Sequence, residues 1–113
     1  MPFIDCRTSV ALSARTRERI KTRLGQAISA LKKPESYLMV GFTDEYELWF
    51  AGKRAERGAY VAVSLFGKAS SADCEKMTGL VCAILHEEAD IAPEQTYVTY
   101  HPVSDWGWNG SDF

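Results

Sequence analysis

The sequence has little cysteine and no long hydrophobic run. Its three cysteines, Cys6, Cys74 and Cys82, form no CxxC pair, and His86 and His101 form no ligand cluster with them. We therefore expect free thiols in a reducing compartment and no structural zinc site. No stretch of 18 or more apolar residues is present, which excludes a transmembrane helix.

Neither sign of charge is in surplus. The 13 basic and 15 acidic residues give a formal net charge of −2. Nucleic-acid binders and proteins that attach to anionic membranes usually carry clustered basic charge, so neither partner is expected. The first residues also lack the basic start and apolar stretch of a secretory signal peptide, and we expect a cytoplasmic protein.

The composition is that of an ordinary folded protein. Hydrophobic residues make up 46% of the chain and charged residues 25%, which is enough apolar material to fill a core. A length of 113 residues suits one domain, and we assign a single domain to residues 1–113.

Hydrophobic periodicity predicts strand, helix and strand in the first half of the chain. Residues 3–6 and 37–43 have strand composition, and a short strand is predicted over 47–50 before a loop over 52–58. A helix is predicted from Ser13 to about Lys33, where Pro34 stops it. Its apolar positions follow the 3.6-residue spacing of a buried helix stripe: Ile20, Leu24, Ala27, Ile28 and Leu31.

The second half repeats this pattern. Residues 59–66 and 96–100 are predicted strands, and Ser70 with Asp73 fits a helix capping box between them. The predicted buried stripe of this second helix consists of Met77, Leu80, Val81, Ile84 and Leu85. Two βαβ units with right-handed crossovers predict an α+β fold, with a four-stranded sheet and both helices on one face.

Such a sheet has one uncovered face. The strand over 37–43 has apolar residues on both of its sides, with Leu38, Val40 and Phe42 on one and Tyr37 and Met39 on the other. Because monomers rarely expose a large apolar surface, we expect an oligomer in which the sheets face each other.

Pro2 is the first candidate catalytic residue. Methionine before a small residue such as proline is normally removed, which leaves a secondary amine at the chain start. An α-amino group titrates near about 7.7–8.0, and burial or a nearby cation lowers that value, so the amine becomes a base near neutral pH. Met1-Pro2 also begins many unrelated proteins, and a chain that keeps Met1 has no such base.

Two further features are candidates for a site. Lys33 closes the first predicted helix, where a cation favours the helix dipole and is also placed to stabilise an oxyanion. Aromatic residues are numerous, and the tail from Trp106 onward is expected to dock, either lining a pocket or sealing a subunit contact. The aromatic candidates are Tyr37, Phe66, Tyr97, Trp106, Trp108 and Phe113.

In this order and at these spacings, the features resemble the tautomerase superfamily in its macrophage migration inhibitory factor branch. The similarity covers nearly the full chain. The residues that carry it are Met1-Pro2-Phe3-Ile4, Lys33-Pro34, Tyr37, Gly67-Lys68, residues 80–85, Ile91-Ala92-Pro93, Tyr97, residues 107–111 and Phe113.

The resemblance implies a homotrimer with active sites between neighbouring subunits and a keto–enol tautomerase that needs no cofactor. Its substrates would be α-keto acids similar to phenylpyruvate. Pro2 then matches the general base, Lys33 the cation near the substrate carboxylate or enolate, and Tyr97 a tyrosine from the adjacent subunit. The implied substrate-binding residues are Tyr37, Leu65, Phe66, Thr99, Trp106, Trp108 and Phe113.

The sequence departs from the family pattern at several positions. Thr99 stands where many members have asparagine, Ser64 where histidine is common, and Gly58 and Val61 where animal members have a CxxC pair. These departures bear on substrate preference, and the missing CxxC argues against thiol–disulfide exchange.

Two other functions stay open at this point. One is a cytokine-like protein, released without a signal peptide, that binds a host receptor. The other is dehalogenation or hydration of an unsaturated acid, which would need extra arginines such as Arg7, Arg54 or Arg57.

Overall fold

The computed structural model describes all 113 residues and contains two α-helices, eight strands and three short 3₁₀ turns. The helices are α1 (Ala14–Ala27) and α2 (Ser71–Ala89). The strands are β1 (Pro2–Thr8), β2 (Met39–Thr43), β3 (Trp49–Phe50), β4 (Lys53–Arg54), β5 (Ala59–Phe66), β6 (Thr96–Val103), β7 (Gly107–Trp108) and β8 (Ser111–Asp112). The 3₁₀ turns are Ile28–Leu31, Glu35–Tyr37 and Pro93–Gln95.

The main sheet has four strands in the order β2-β1-β5-β6. β1 pairs in parallel with β2, β5 pairs in parallel with β6, and β1 joins the two pairs by running antiparallel to β5. Each half of the chain is thus a βαβ unit, as the sequence predicts. Both helices cover the same face, because alternate residues of β1 and β5 are buried beneath them.

Helix α1 begins where predicted and ends earlier. The Ser13 hydroxyl caps it by accepting a hydrogen bond from the Thr16 N–H at 3.1 Å. The α-helix stops at Ala27, and the predicted remainder winds as a 3₁₀ turn that ends at Lys32 in the left-handed conformation, with φ of 60°. Since Pro34 disfavours helical geometry at the preceding residue, the chain tightens and turns instead of continuing to Lys33.

Gly25 lies in the last turn of α1, against the side chain of Glu35. A side chain at this position would overlap the Glu35 carboxylate, which lies over the helix there. Gly79, in the middle of α2, has nothing within 4 Å of the position a Cβ would take. The two helices therefore tolerate glycine for different reasons.

Helix α2 follows its predicted cap and most of its predicted stripe. The Ser70 hydroxyl accepts a hydrogen bond from the Asp73 N–H at 3.1 Å. Met77, Val81, Ile84 and Leu85 are buried, whereas Leu80 is 37% exposed and lies outside the core, contrary to the prediction. Neither helix combines the length and apolar content needed to span a bilayer.

Strand boundaries differ from the predictions at several places. β1 extends beyond the predicted residues 3–6 in both directions, and β7 and β8 were not predicted. β2 starts at Met39, because Tyr37 belongs to the preceding 3₁₀ turn. The predicted short strand and loop form the β3–β4 hairpin. β6 continues past Tyr100 to Val103, and it accommodates Pro102 because it is an edge strand with a free side.

The uncovered sheet face is less apolar than expected. Met39 and Tyr97 are exposed on the two edge strands. Between them β1 carries an ion pair, in which the Arg7 guanidinium lies 3.1 Å from the Asp5 carboxylate. The face therefore combines aromatic and apolar edges with a polar centre.

Candidate active site

The N-terminus lies at one end of the sheet, against the end of β5. Pro2 is buried and lies beside Leu65 in the antiparallel register. The Met1 carbonyl accepts a hydrogen bond from the Phe66 N–H at 3.0 Å. With Met1 in place, the Pro2 nitrogen is an amide and the Phe66 N–H is occupied.

Lys33 reaches the same place from the first βαβ unit. The left-handed turn at Lys32 directs the chain so that the Lys33 ammonium donates a hydrogen bond to the Phe66 carbonyl at 2.9 Å. Both backbone groups of Phe66 are thus engaged, one by Met1 and one by Lys33. The arrangement holds a cation beside the start of the chain.

This cation and burial act on the terminal amine. Burial is the larger cause and the Lys33 charge the smaller, and together they lower the pKa of the Met1 amine from its ordinary value. Both causes disfavour the protonated form, so this end of the sheet favours a neutral amine.

A cavity of about 710 Å³ opens at the N-terminus. Most of its walls are apolar or aromatic, and two serines, Ser36 and Ser64, supply hydroxyl groups. Its lining residues are Met1, Pro2, Phe3, Ser36, Tyr37, Leu38, Met39, Ser64, Val103, Trp106, Gly107 and Trp108.

Four aromatic rings form a cluster at the rim of this cavity. Tyr37 packs edge-on against Trp108 at 5.5 Å between ring centroids, and Trp108 stacks on Phe113 at 5.9 Å. Phe113 in turn lies 5.8 Å from Phe66. We call Tyr37, Phe66, Trp108 and Phe113 the aromatic cluster.

The C-terminal tail docks here, as predicted from its aromatic content. Its β7–β8 hairpin places Trp108 and Phe113 on the same side, and the Phe113 N–H donates to the Trp106 carbonyl at 3.0 Å. Trp106 is half-buried in the cavity wall.

Leu65 is placed elsewhere. Its side chain is 1% exposed and belongs to the core beneath the helices, because odd-numbered residues of β5 face inward. It therefore presents no side chain to the cavity, and its contribution is limited to the backbone beside Pro2.

Tyr97 and Thr99 are not brought to the cavity of their own subunit. Tyr97 pairs with Tyr60, five residues from Leu65 along β5, which corresponds to about 17 Å along the strand from the Pro2 position. The Tyr97 ring is 64% exposed and packs on Phe50 at 5.5 Å. Pro2 and Lys33 thus converge, whereas Tyr97 lies toward the other end of the sheet and Thr99 lies near its middle, opposite Ala62.

A sequence model of the family described as macrophage migration inhibitory factor (MIF) matches residues 1–113. The chain belongs to the MIF family. The sequence resemblance and the fold prediction are thereby confirmed. No curated protein matches the chain in sequence.

Solved structures of MIF proteins share this fold over their whole length. MIF2 of Leishmania major is 32% identical, with a TM-score of 0.94 over 100% of this chain and 97% of that one. The MIF homologue of Prochlorococcus marinus is 26% identical, with a TM-score of 0.88 over 98% of both chains. A fused 4-OT protein, described as a symmetric trimer, is 13% identical and has a TM-score of 0.86 over 97% of this chain and 94% of that one.

Sequence reasoning missed several residues of this MIF-family cavity. Phe3 and Met39 are register partners on adjacent strands, and Val103 lies in the part of β6 that was not predicted. Strand alternation could have indicated Phe3, but pairing Phe3 with Met39 needs the register.

The cysteines and the candidate arginines lie outside the cavity lining. Burial raises the pKa of the Cys6 thiol to about 12, and burial also raises the pKa of Cys74 and Cys82, so all three disfavour the reactive thiolate. Arg7 pairs with Asp5, and the Arg57 guanidinium donates to the carbonyls that end α2. Nowhere do three or more His, Cys, Asp or Glu side chains form a group that could hold a metal ion.

Proposed function

We propose that this MIF-family protein is a cofactor-independent tautomerase of aryl 2-keto acids such as phenylpyruvate, with the Pro2 nitrogen as general base. One observation carries the proposal: the start of β1 and the Lys33 ammonium meet at the Phe66 backbone, and Met1 and Pro2 also line the adjoining cavity with its aromatic side chains.

Removal of Met1 would change this site in two ways. It turns the Pro2 nitrogen from an amide into a secondary amine. It also removes the carbonyl that the Phe66 N–H bonds to, so that this N–H becomes free to donate to a ligand. Burial and the Lys33 charge, which lower the pKa of the Met1 amine, act in the same direction on an amine at Pro2.

The chemistry follows from these groups. The neutral Pro2 amine takes a proton from the carbon next to the keto group, and the electron pair moves onto the keto oxygen. The Lys33 ammonium and the Phe66 N–H stabilise the negative charge that develops there. The protonated amine then gives the proton to that oxygen, which completes the enol and regenerates the base.

The aromatic cluster supports an aryl substituent on the substrate. Offset and edge-to-face ring contacts favour an aromatic ligand over a short aliphatic acid, and Lys33 offers one positive charge for a carboxylate or enolate. None of the arginines considered for water-adding chemistry, Arg7, Arg54 and Arg57, lines the cavity of its own subunit.

The complete site is proposed to form in a homotrimer. Tyr97 and Thr99 are separated from Pro2 within one subunit, and Tyr97 is largely exposed, as a residue that reaches a neighbouring subunit would be. The fused 4-OT protein with the same fold is a symmetric trimer. In a trimer of this kind, Tyr97 and Thr99 of one subunit would line the cavity of the next.

Phenylpyruvate tautomerisation tests the proposal on two forms of the same protein. Mass spectrometry first establishes which sample starts at Pro2 and which keeps Met1. We expect activity from the Pro2 form and a loss of at least about 100-fold from the Met1 form, the usual contribution of a general base. Equal activity of the two forms, or none in the Pro2 form, would contradict the proposal.

A further inference from the structure

Three polar side chains form a hydrogen-bonded cluster on the uncovered face of the sheet, where β5 and β6 pair. The Thr99 Oγ1 lies 2.9 Å from the Tyr60 hydroxyl and 2.8 Å from the His101 Nε2. We call these residues the Thr99 cluster. The helices lie on the opposite face and do not cover it.

The cluster is not needed to fill the core. On β6 the core contacts come from Val98 and Tyr100, which point toward the helices, while Thr99 and His101 alternate to the other side. His101 is exposed, and Thr99 and Tyr60 are only half-buried. Ordering such side chains costs conformational entropy, and their few packing contacts do little to offset that cost. A role at this face, rather than in the fold, accounts for the arrangement.

We infer that Tyr60 and His101 are positioning residues that fix the Thr99 hydroxyl for contact with the substrate held by the neighbouring subunit. This inference depends on the proposed function, in which Thr99 reaches that neighbouring cavity. Thr99 lies between Tyr60 and His101 in a short chain of hydrogen bonds. A threonine hydroxyl has one proton and two lone pairs, so these two partners leave it only one free position for a hydrogen bond to a ligand.

His101 also sets what this hydroxyl offers. When the His101 proton is on Nδ1, Nε2 accepts from Thr99, Tyr60 donates to Thr99, and only a lone pair of Thr99 stays free. When Nε2 carries the proton, His101 donates to Thr99, and one hydroxyl proton of the Thr99 cluster becomes available to another acceptor. The imidazole thus decides whether the cluster accepts or donates toward a ligand.

Substitutions that remove only the polar atoms test this inference in the Pro2 form of the full chain. Tyr60→Phe and His101→Phe should each raise KM for phenylpyruvate about fivefold, the loss expected for one hydrogen bond, with kcat within about twofold. His101→Gln, unlike His101→Phe, should keep KM near the wild-type value, because the glutamine amide nitrogen takes the place of Nε2. Tyr46→Phe is the matched control: its hydroxyl contacts Arg7 and not the Thr99 cluster, so KM should not change.

A double-mutant cycle separates positioning from a merely structural role. In a Thr99→Val background, Tyr60→Phe should have no further effect on KM, because it acts through the Thr99 hydroxyl. Sedimentation velocity should give one oligomeric state for all variants. Unchanged KM in both single variants, additive effects in the cycle, or a KM change only where the oligomer dissociates would overturn the inference. An inactive wild-type Pro2 form would instead overturn the proposed function.

Discussion

In both halves of the chain a helical segment ends at a left-handed residue, which is Lys32 after the 3₁₀ turn that follows α1 and Asp90 after α2, and a proline follows within three residues. The residue after this turn differs. In the first half it is Lys33, whose ammonium reaches Phe66, and in the second it is Ile91, which is fully buried. The same backbone turn thus supplies a cation to the candidate site in the first half and an apolar side chain to the core in the second half.

The tyrosines that follow the two prolines differ in the same way. Tyr37 ends a 3₁₀ turn and packs into the aromatic cluster of its own subunit. Tyr97 lies one residue into β6 and stays 64% exposed. Both rings thus pack within their own subunit, Tyr37 on the C-terminal tail and Tyr97 on Phe50, and Tyr97 leaves the larger part of its surface exposed. This exposed surface agrees with the proposal that Tyr97 contributes to a site shared between subunits.

The largest effect on activity is expected when the two neighbouring lysines at the first turn, Lys33 and Lys32, are replaced in turn. Lys33→Met should lower kcat/KM for phenylpyruvate about 100-fold or more, because it removes the group that we propose stabilises the developing oxyanion. Lys32→Met is the matched control, since Lys32 is exposed and its ammonium lies 3.7 Å from Asp73 instead of Phe66. It should leave kcat/KM within about twofold. Similar losses in both variants would show that the turn matters and the Lys33 contact does not.

A pH profile of kcat/KM tests whether Lys33 also acts on the pKa of the amine. In the proposed mechanism the neutral amine is the active form, so kcat/KM should rise with pH through the pKa of the Pro2 amine and then level off. Burial and, as the smaller cause, the Lys33 charge lower the pKa of the Met1 amine, and we expect both to act in the same direction on the Pro2 amine. In Lys33→Met the residual activity should therefore rise at higher pH than in the wild type. A midpoint that stays in place or moves to lower pH would contradict this assignment.

The smallest effect compares the glycines of the two helices. Gly79→Ala should raise the free energy of unfolding by about 0.5–1 kcal/mol, because nothing opposes the added methyl group. Gly25→Ala should gain less, since Glu35 must first swing away. Thermal and urea unfolding measure both. When Glu35→Ala is added, the two glycine substitutions should become equivalent, and a persistent difference would mean that Glu35 is not the cause.

Local patterns predicted most of the fold. The helix stripes and the Ser70 cap depend only on spacing within one element, and they appear as expected. Leu80 was assigned to the core because it fits the helical period, but it lies at the edge of the stripe, where only the packing of α2 decides burial. The end of α1 depended on how Pro34 affects the turn before it, which periodicity does not describe.

The candidate site was less predictable from residue patterns. Pro2, Lys33 and Phe66 are far apart in the chain, and only the family resemblance, not their spacing, predicted that they belong to one site. Leu65 could have been assigned to the core, because it alternates with Phe66 along β5. Predicting the Thr99 cluster would have required the pairing of β5 with β6, and the sequence of either strand alone does not show this pairing.

Subunit complementation tests most directly whether the two halves complete each other across an interface. Lys33→Met and Tyr97→Ala proteins, each impaired alone, are unfolded together and refolded at equal concentrations, and native mass spectrometry establishes that mixed oligomers form. In randomly mixed trimers about one site in four combines an intact Lys33 with an intact Tyr97 from the neighbour. We expect the phenylpyruvate activity of the mixture to exceed the mean of the two parent proteins. Activity equal to that mean, with mixed oligomers present, would contradict a shared site.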